Sequence, residues 1–484
     1  CSNNVAVGGQ ALQECTTGTS NVAIGHNALD ANTTASNNTA VGKDALTANT
    51  TGYSNTAVGT TALAASTTSA ANTAVGHDAL GSLTTADSCT AVGYYALQDD
   101  TGSANTAVGR SALLQNTTGT TNVAVGSYAL DANTTASQNT AVGHAALGAN
   151  TTAANNTAVG YAALNLNTGA SNVAVGSAAM SSNTTGASNT GIGYVSLTAN
   201  TTGASNTAVG MSALNVSTTA SNNVAVGTNA MIANTTGDSN TAVGQGALDA
   251  NTTAGNNTSV GARSLSANTT GASNTGVGKD ALYAVTTGDS NVAVGQSAGD
   301  VATTGSNNVC IGAYTDPSAN DESNAICIGY NIVASGNDFS FGKASNVVTN
   351  DFDTDADWSR SSDVRLKRNI ESTTLGLDFI NDLRPIKFQW KPSNEVPEIM
   401  TSEYNKENQK NLDYVSHGFI AQEVKEAIDK HGDTTFGGWH IDKTDNETQR
   451  VKKNMFVMPL IKAVQELSAE VEALKQKAHD KCEE

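Results

Sequence analysis

Small apolar and polar residues alternate in a short unit that recurs along the first two thirds of the chain. One complete unit, residues 38–54, begins Asn-Thr-Ala-Val-Gly, carries a second apolar pair at Ala45 and Leu46, and ends Asn-Thr-Thr-Gly-Tyr-Ser. Counting a variant that begins at Cys89, the unit starts 19 times between Asn4 and Asn308. Sixteen of the 18 steps between starts have a period of 17, and the other two have a period of 16. Such a regular period indicates a solenoid, in which each unit forms one coil.

The unit predicts one short strand per coil, followed by turns. Thr39 and Val41 should share one face of the strand and Ala40 the other, because side chains alternate along a strand. Gly42 permits a bend, and residues 49–54 are rich in types that favour turns.

A coil built from so short a unit is thin and leaves little room for an interior. The strand alanines Ala40, Ala57 and Ala74 recur at one position of successive units, which suits close contact with a second chain. We therefore predict a mainly β fold, a parallel β-roll or β-helix of 17-residue repeats that winds with other copies into a trimer.

The content of charged residues divides the chain into two segments of different composition. Residues 1–361 contain 6 Lys and Arg and 21 Asp and Glu, whereas residues 362–484 contain 18 and 22. We expect a repeat shaft over residues 1–312, and degenerate repeats, a cap and a linker over residues 313–361. The charged residues 362–484 should form a small α+β module.

The composition argues against several partners. The net charge of -19, without a basic stripe, makes nucleic acid a poor partner, because phosphate contacts dominate such binding. No segment approaches the ~20 apolar residues of a membrane span, so no membrane insertion is expected. Six cysteines in 484 residues do not form a disulfide framework.

Several motifs in the shaft favour structural roles over chemistry. Cys310 and Cys327 lie one period apart in the alanine slot, which favours stacked free thiols over a disulfide. Triplets such as residues 32–34 match glycosylation acceptors, but their recurrence at the turn favours a structural role. The alternating aspartates of residues 351–357 lack the spacing of a calcium loop and favour a linker or edge strand. His26, His77 and His144 are expected at surface positions rather than as metal ligands. No metal or cofactor is expected.

The repeat resembles those of trimeric autotransporter adhesin heads and the tracts that precede self-cleaving chaperone domains in phage tail fibres. Downstream, residues 362–370 read Ser-Asp-Val-Arg-Leu-Lys-Arg-Asn-Ile, residues 383–385 read Leu-Arg-Pro, and residues 418–424 read Gly-Phe-Ile-Ala-Gln-Glu-Val. These segments resemble the intramolecular chaperone domain of endosialidases and related phage tail proteins, a family of self-cleaving serine peptidases. The resemblance covers nearly all of residues 362–484.

This resemblance implies a serine–lysine dyad. A serine becomes an effective nucleophile when a neutral lysine removes its proton. Ser362 would be the nucleophile and Lys367 the general base, and the bond between Ser361 and Ser362 would be cut once. Activity on external substrates is not predicted. Three further motif residues are candidates for orienting or structural roles: Asp363, Arg365 and Asn369.

The end of the chain has the heptad pattern of a coiled coil. Valines and leucines interleave at a and d positions over about residues 455–480, with Glu466, Glu470 and Glu472 on the predicted solvated sides. This pattern alone favours two strands, whereas the family resemblance implies three. An ordinary amphipathic core helix is the alternative.

Together these features predict the shaft of a phage tail fibre or tail spike, located in the virion. Its C-terminal module would drive trimerisation and alignment and then release itself by cleavage. A host cell-surface receptor is a further candidate partner. The alternative is a bacterial trimeric surface adhesin or extracellular appendage protein with the same chaperone. A glycan-cleaving enzyme is disfavoured because the repeats offer no recurring carboxylate pair.

Overall fold

The computed structural model describes residues 1–344, 346–351, 364, 367–398, 415–441 and 448–483. The chain divides into two compact units, Cys1–Arg360 and Ser361–Glu484. The first is a β-solenoid, and the second is a small α+β unit that ends in a long helix.

The solenoid contributes one three-residue strand from each coil to a long parallel sheet. The strand of each coil pairs in register with that of the next, as Ala40 does with Ala57. The register survives the shorter spacing, because Thr90 still pairs with Thr106. The predicted parallel solenoid is therefore confirmed. Strands β1 to β19 are Val5–Val7, Val22–Ile24, Thr39–Val41, Thr56–Val58, Thr73–Val75, Thr90–Val92, Thr106–Val108, Val123–Val125, Thr140–Val142, Thr157–Val159, Val173–Val175, Thr190–Ile192, Thr207–Val209, Val224–Val226, Thr241–Val243, Thr258–Val260, Thr275–Val277, Val292–Val294 and Val309–Ile311.

Each coil has an apolar interior of its own. Ala40, Ala45 and Leu46 are fully buried within the single chain, whereas Thr39 and Val41 lie half-buried on the outside of the sheet. The expectation that the strand alanines contact a second chain is therefore wrong. The slot takes small residues because other side chains of the coils approach it closely: a Cβ on Gly191, which occupies the same slot, would lie 2.8 Å from Cγ of Met180 and 3.2 Å from Oγ of Ser196.

Two ladders of buried asparagines satisfy the polar groups of this interior. In the first ladder, the backbone N–H of Asn38 donates to Oδ1 of Asn21 at 2.9 Å, and its Nδ2 donates to the carbonyl of Gly52 at 2.8 Å. In the second ladder, Nδ2 of Asn49 donates to Oδ1 of Asn32 at 3.2 Å. Buried polar groups that pair in this way avoid a large desolvation cost. The structural role predicted for the Asn-x-Thr triplets is confirmed, since Asn32 is fully buried.

The backbone of each coil turns through left-handed conformations. Gly42 has a φ of 140°, and a Cβ at this position would overlap the backbone carbonyl of Gly59 in the next coil. Leu46 has a φ of 51°, which is unusual for a branched side chain. Its full burial and its backbone hydrogen bond to Ala62 at 3.0 Å favour this conformation.

The parallel stack ends in a different arrangement. β21 (Ile326–Tyr330) pairs with β19, and β23 (Asp338–Lys343) then pairs with β21, both in parallel. β24 (Asn346–Asp351) pairs antiparallel with β23 and closes this end of the sheet. Two short strands, β20 (Thr315–Pro317) and β22 (Ile332–Ala334), form a parallel pair beside it.

The solenoid contains both free and disulfide-bonded cysteines. Cys310 and Cys327 are buried free thiols with their Sγ atoms 3.6 Å apart, as the sequence favoured. The neighbouring thiol and burial raise the pKa of Cys310. One disulfide, between Cys1 and Cys15, closes the first coil.

In its described residues, the second unit packs two short helices, two antiparallel strand pairs and a terminal helix around a small core. α1 is Leu377–Asp382, α2 is Ala421–His431 and α3 is Val457–Glu483. β25 (Ile386–Gln389) pairs antiparallel with β26 (Val415–Gly418), and β27 (Trp439–Ile441) with β28 (Gln449–Val451). Short 3-10 turns cover Ser393–Glu395 and Lys453–Phe456. The buried core is formed by Leu375, Phe379, Val424, Ala427, Ile428 and Phe456.

Candidate functional site

Only part of the predicted dyad segment belongs to the described residues. Ser361, Ser362, Asp363 and Arg365 lie outside them. Lys367 is described; its side chain is exposed, and its backbone N–H donates to the carbonyl of Val364 at 3.1 Å. Asn369 is also described and exposed, with a φ of 52° that asparagine tolerates better than most residues. The dyad therefore stays a prediction.

The chain that follows Lys367 becomes anchored at α1. Leu375 and Phe379 are fully buried, and the Phe379 ring lies against Phe436 and Phe456 with centroid separations of 5.7 and 6.2 Å. Burying a large apolar side chain contributes about 2–3 kcal/mol. Beyond the dyad segment, the chain is thus held in the core of the module.

Glu466 of α3 caps the start of α1. Its Oε2 accepts the backbone N–H of Leu377 at 2.7 Å, and Lys462 lies 3.4 Å from its other carboxylate oxygen. The bond from the Leu377 N–H lowers the pKa of Glu466. Glu466 keeps 38% of its side chain exposed, so it lies on a partly solvated side of the helix, as predicted, but it also makes this contact. Heptad position alone carried no signal for this contact, because the partner lies far away in the chain.

Two segments that carry the family resemblance meet in an ion pair. Arg384 donates to both carboxylate oxygens of Glu423 in the first turn of α2. This contact lowers the pKa of Glu423 and raises that of Arg384. At the other end of α2, Asp382 pairs with Lys430 at 2.7 Å and His431 at 2.6 Å. These pairs hold α1 and the chain after it against both ends of α2.

A cleft of about 870 Å³ lies beside the antiparallel pair β25–β26. Its lining includes Phe388, Trp390, His440 and Arg450, but not Lys367. The cleft and the candidate base are therefore separate features of the module.

The terminal helix α3 presents an exposed apolar seam. The predicted helix over about residues 455–480 is confirmed as Val457–Glu483. The side chains at the a and d positions are 41% to 63% exposed in the single chain. We name these residues the α3 seam: Val457, Leu460, Val464, Leu467, Val471 and Leu474.

The solenoid presents a second apolar surface. The third strand residue of many coils is 36% to 41% exposed on the outside of the sheet. Exposed apolar surface that continues over many coils is typical of an interface. We name these residues the outer strand face: Ile24, Val108, Val125, Val175, Ile192, Val226, Val243, Val260, Val277, Val294, Ile311 and Ile328.

The shaft histidines occupy surface positions, as predicted. The His77 ring stacks on Tyr94 with centroids 5.3 Å apart, and His144 stacks on Tyr161 at 5.5 Å. Among the described residues, no three His, Cys, Asp or Glu side chains are grouped so as to hold a metal ion. Within the same residues, no helix has the length and apolar character needed to cross a membrane.

Comparison with known proteins identifies a family for one part of the chain. No curated protein and no solved structure matches this chain. Residues 362–433 match the model of a family described as the chaperone of endosialidase. The match begins at Ser362 and includes Lys367, the Arg384–Glu423 pair and all of α2. Residues 362–433 therefore carry the sequence pattern of the chaperone of endosialidase family.

Proposed function

We propose that this chain forms the shaft of a trimeric virion fibre of the tail-fibre type. Its C-terminal module aligns three chains and then cuts itself off between Ser361 and Ser362. The observation that carries the proposal is the join between a repetitive β-solenoid and a chaperone of endosialidase domain. That family consists of self-cleaving intramolecular chaperones.

The exposed apolar surfaces support assembly from several copies. The α3 seam has a β-branched residue at each a position and leucine at each d position, and such seams pack against other copies in coiled coils. The exposed apolar residues of the outer strand face recur once per coil, and they do so at the same spacing in every copy of the chain. A second copy of this chain is therefore its natural partner, because only an object with that repeat matches it along the whole sheet.

A repetitive sheet does not define its own alignment. Sliding one chain by a single coil brings nearly identical residues back into contact, so many registers have similar energy. A module that trimerises at one end removes this ambiguity, because it sets the three chains level before the coils associate.

The proposed cleavage is an intramolecular acyl shift followed by hydrolysis. Lys367 takes the proton of the Ser362 hydroxyl as Oγ attacks the carbonyl carbon of Ser361. The carbon–nitrogen bond then breaks, and Lys367 returns the proton to the Ser362 nitrogen. Water hydrolyses the resulting ester, which leaves a carboxylate on Ser361 and frees the Ser362 hydroxyl. The reaction runs once, because the module departs with both residues of the dyad.

Expression of the full chain tests this proposal. The wild-type chain should yield a C-terminal fragment that begins at Ser362, whereas Ser362→Ala and Lys367→Ala should leave the chain intact; intact-mass spectrometry distinguishes the two. Ser372→Ala and Lys387→Ala change exposed residues of the same types in the same module and should still cleave. Release of the fragment from either dyad variant, or none from the wild type, contradicts the assignment.

A further inference from the structure

We propose that Ile461 of each copy docks into an apolar groove on the C-terminal module of the neighbouring copy. The occupant of the groove is thus a second copy of this chain. This inference rests on the trimer proposed above and adds a contact beside the α3 seam, through which neighbouring modules recognise each other.

An apolar groove of about 230 Å³ lies at the base of α3. One wall of the groove is the start of the α3 seam, Val457 and Leu460, which are 47% and 52% exposed. The remaining lining comes from segments that pack beside the helix. The seam therefore continues from α3 onto the module as one apolar surface. We name the lining residues outside the seam the module groove: Ile380, Leu383, Pro385, Phe419, Lys453 and Phe456.

The heptad places the module groove on one flank of the α3 seam. In a coiled coil, the e and g positions flank the a and d seam on opposite sides. Phe456, which immediately precedes α3, and Ala463 occupy g positions, and both are buried in the single chain. The module therefore covers the g flank at the base of α3, and the groove lies between that flank and the seam.

The opposite flank of α3 carries exposed apolar side chains at the same level. Ile461 is the e residue of the first heptad and is 47% exposed. Met458, one turn earlier on this side of the helix, is 61% exposed. The e and g positions of coiled coils often carry Glu and Lys. An isoleucine at this e position gives α3 an apolar side chain that the described residues of the single chain leave uncovered.

Parallel packing brings these two flanks together. In a parallel coiled coil, a g residue faces the e residue of the following heptad in the neighbouring helix. Phe456 is such a g residue, and Ile461 is the e residue of the heptad that follows. The pairing therefore places Ile461 of one copy against the module groove of the next, where its side chain meets Phe456 and Leu383.

The charges further along α3 agree with the same pairing. Glu470 occupies a g position and Lys475 the e position of the following heptad, and both are exposed. Within the single chain, Lys475 bonds Glu472 of its own helix at 2.6 Å. Packing a second copy in parallel brings Glu470 of one helix to Lys475 of the other, so that opposite charges meet. The charge pattern is thus complementary to a parallel copy of this chain.

Each copy carries one module groove and one Ile461, on opposite flanks of the same helix. A contact between two different surfaces of identical chains is heterologous, and a rotation that closes turns such contacts into a ring. In a ring of three parallel copies, every groove is filled and every Ile461 is covered. The contact also fixes the modules to one another, in addition to their helices.

Disulfide cross-linking in the full chain tests the inference. The parent chain carries Ser362→Ala, which prevents the proposed cleavage, and Cys482→Ser, which removes an exposed thiol. Adding Leu383→Cys and Ile461→Cys puts one thiol in the module groove and one on the e flank. After oxidation with diamide, the chains should shift from the one-chain to the three-chain band in non-reducing gel electrophoresis, because each copy is linked to both neighbours.

A matched pair of thiols provides the control. Leu383→Cys with Gln465→Cys moves the second thiol to an exposed b position and should leave single chains. Pro385→Cys, at an exposed residue of the module groove, replaces Leu383→Cys if circular dichroism shows that Leu383→Cys unfolds the module. Single chains from the Ile461→Cys pairs overturn the inference, and so does equal cross-linking of the Gln465→Cys control.

Analytical ultracentrifugation of the parent chain separates this inference from the proposed function. A parent that forms trimers but gives no cross-links between Ile461→Cys and the module groove contradicts the docking contact alone. A parent that does not form trimers contradicts the proposed function, and the inference fails with it.

Discussion

At the scale of single residues, a ladder position inside the solenoid can hold a residue other than asparagine when the ladder residue of the neighbouring coil also differs. Asp100 occupies a position of the second asparagine ladder, in one of the two shorter coils. Its carboxylate accepts hydrogen bonds from Gly102 N at 2.9 Å and Asn116 Nδ2 at 2.5 Å. A ladder asparagine normally donates to the side-chain oxygen of the preceding ladder residue. That residue is Leu83 here and has no such oxygen, so a carboxylate, which only accepts, is suitable at position 100. Burial nevertheless raises the pKa of Asp100 to about 6.

Asp100 should make the shaft less stable as the pH rises. Its pKa lies above the ordinary value of 3.8, so the folded shaft holds this proton more tightly than the unfolded chain. The contribution to stability is complete below about pH 4 and is lost as the pH rises through about 6. The difference between the two pKa values corresponds to about 3 kcal/mol per chain. Asp100→Asn should reduce the difference between apparent unfolding temperatures measured at about pH 4 and pH 7.5.

Two other aspartates define the controls for this measurement. Asp99→Asn removes the same charge from an exposed neighbour and should keep the wild-type difference. Burial and the nearby Asp300 also raise the pKa of Asp316 to about 6, so part of the pH dependence should persist in Asp100→Asn. An unchanged pH dependence in Asp100→Asn contradicts the account.

At the scale of elements, one side of α3 is packed and another side is exposed. One face packs on the module through Ala463 and caps α1 through Glu466. The other is the α3 seam, where Val464 and Leu467 are 59% and 49% exposed. A helix of 27 residues with such a seam is long enough for three to four heptads of coiled coil.

Charge in the α3 seam should abolish assembly. In the uncleaved Ser362→Ala chain, the paired change Val464→Lys and Leu467→Lys places like charges at facing positions and removes apolar contact, so full-length chains should no longer associate. Analytical ultracentrifugation should report three chains per particle for Ser362→Ala alone and one for the variant that adds the two lysines. Gln465→Lys adds the same charge at an exposed position outside the seam and should still trimerise. Trimers formed by the double variant would show that the seam does not drive assembly.

At the scale of the whole molecule, a uniform shaft and a distinct module have complementary properties. The shaft has an extended parallel sheet whose coils are alike, and such non-local contacts form slowly. The module has a unique core and an exposed helix seam. If the module is released as proposed, the shaft should keep its alignment kinetically, because nothing would remain to realign chains that separate.

Refolding should therefore depend on whether the module is still attached. Full-length Ser362→Ala, denatured in guanidinium chloride and diluted, should recover trimers in high yield. The cleaved wild-type shaft treated in the same way should mostly form misaligned or aggregated species, as measured by size-exclusion chromatography and electron microscopy. Ser372→Ala should cleave like the wild type, so its cleaved shaft, denatured and diluted in the same way, is the matched control. Equal recovery from the cleaved and uncleaved proteins contradicts an aligning role.

Much of the shaft could be predicted from sequence, because one short pattern repeats until a single structure satisfies it. Strand position, parallel pairing and register all follow from the recurrence of Asn-Thr-Ala-Val-Gly. The direction in which Ala40 faces did not follow, because alternation separates the two faces of a strand without saying which one is inside. The asparagine ladders were also missed, since a residue that favours turns gives no sign that its amide is buried.

In the C-terminal module, too, local features could be predicted from sequence and contacts between distant segments could not. Its motif identified the family and the candidate dyad, and its heptads predicted α3, because these signals are local in sequence. The Arg384–Glu423 pair and the Glu466 cap could not be predicted, since each joins segments tens of residues apart whose approach depends on the packing around Phe379.

The sequence by itself determined the repeat, the strand of each coil, the family of the module and the terminal helix, because each is encoded by residues close together along the chain. Only the tertiary structure decided which face of the sheet is buried, which apolar surfaces stay exposed in the single chain, and which carboxylate caps α1. These features depend on how distant segments close around a shared interior, and local pattern does not record that closure.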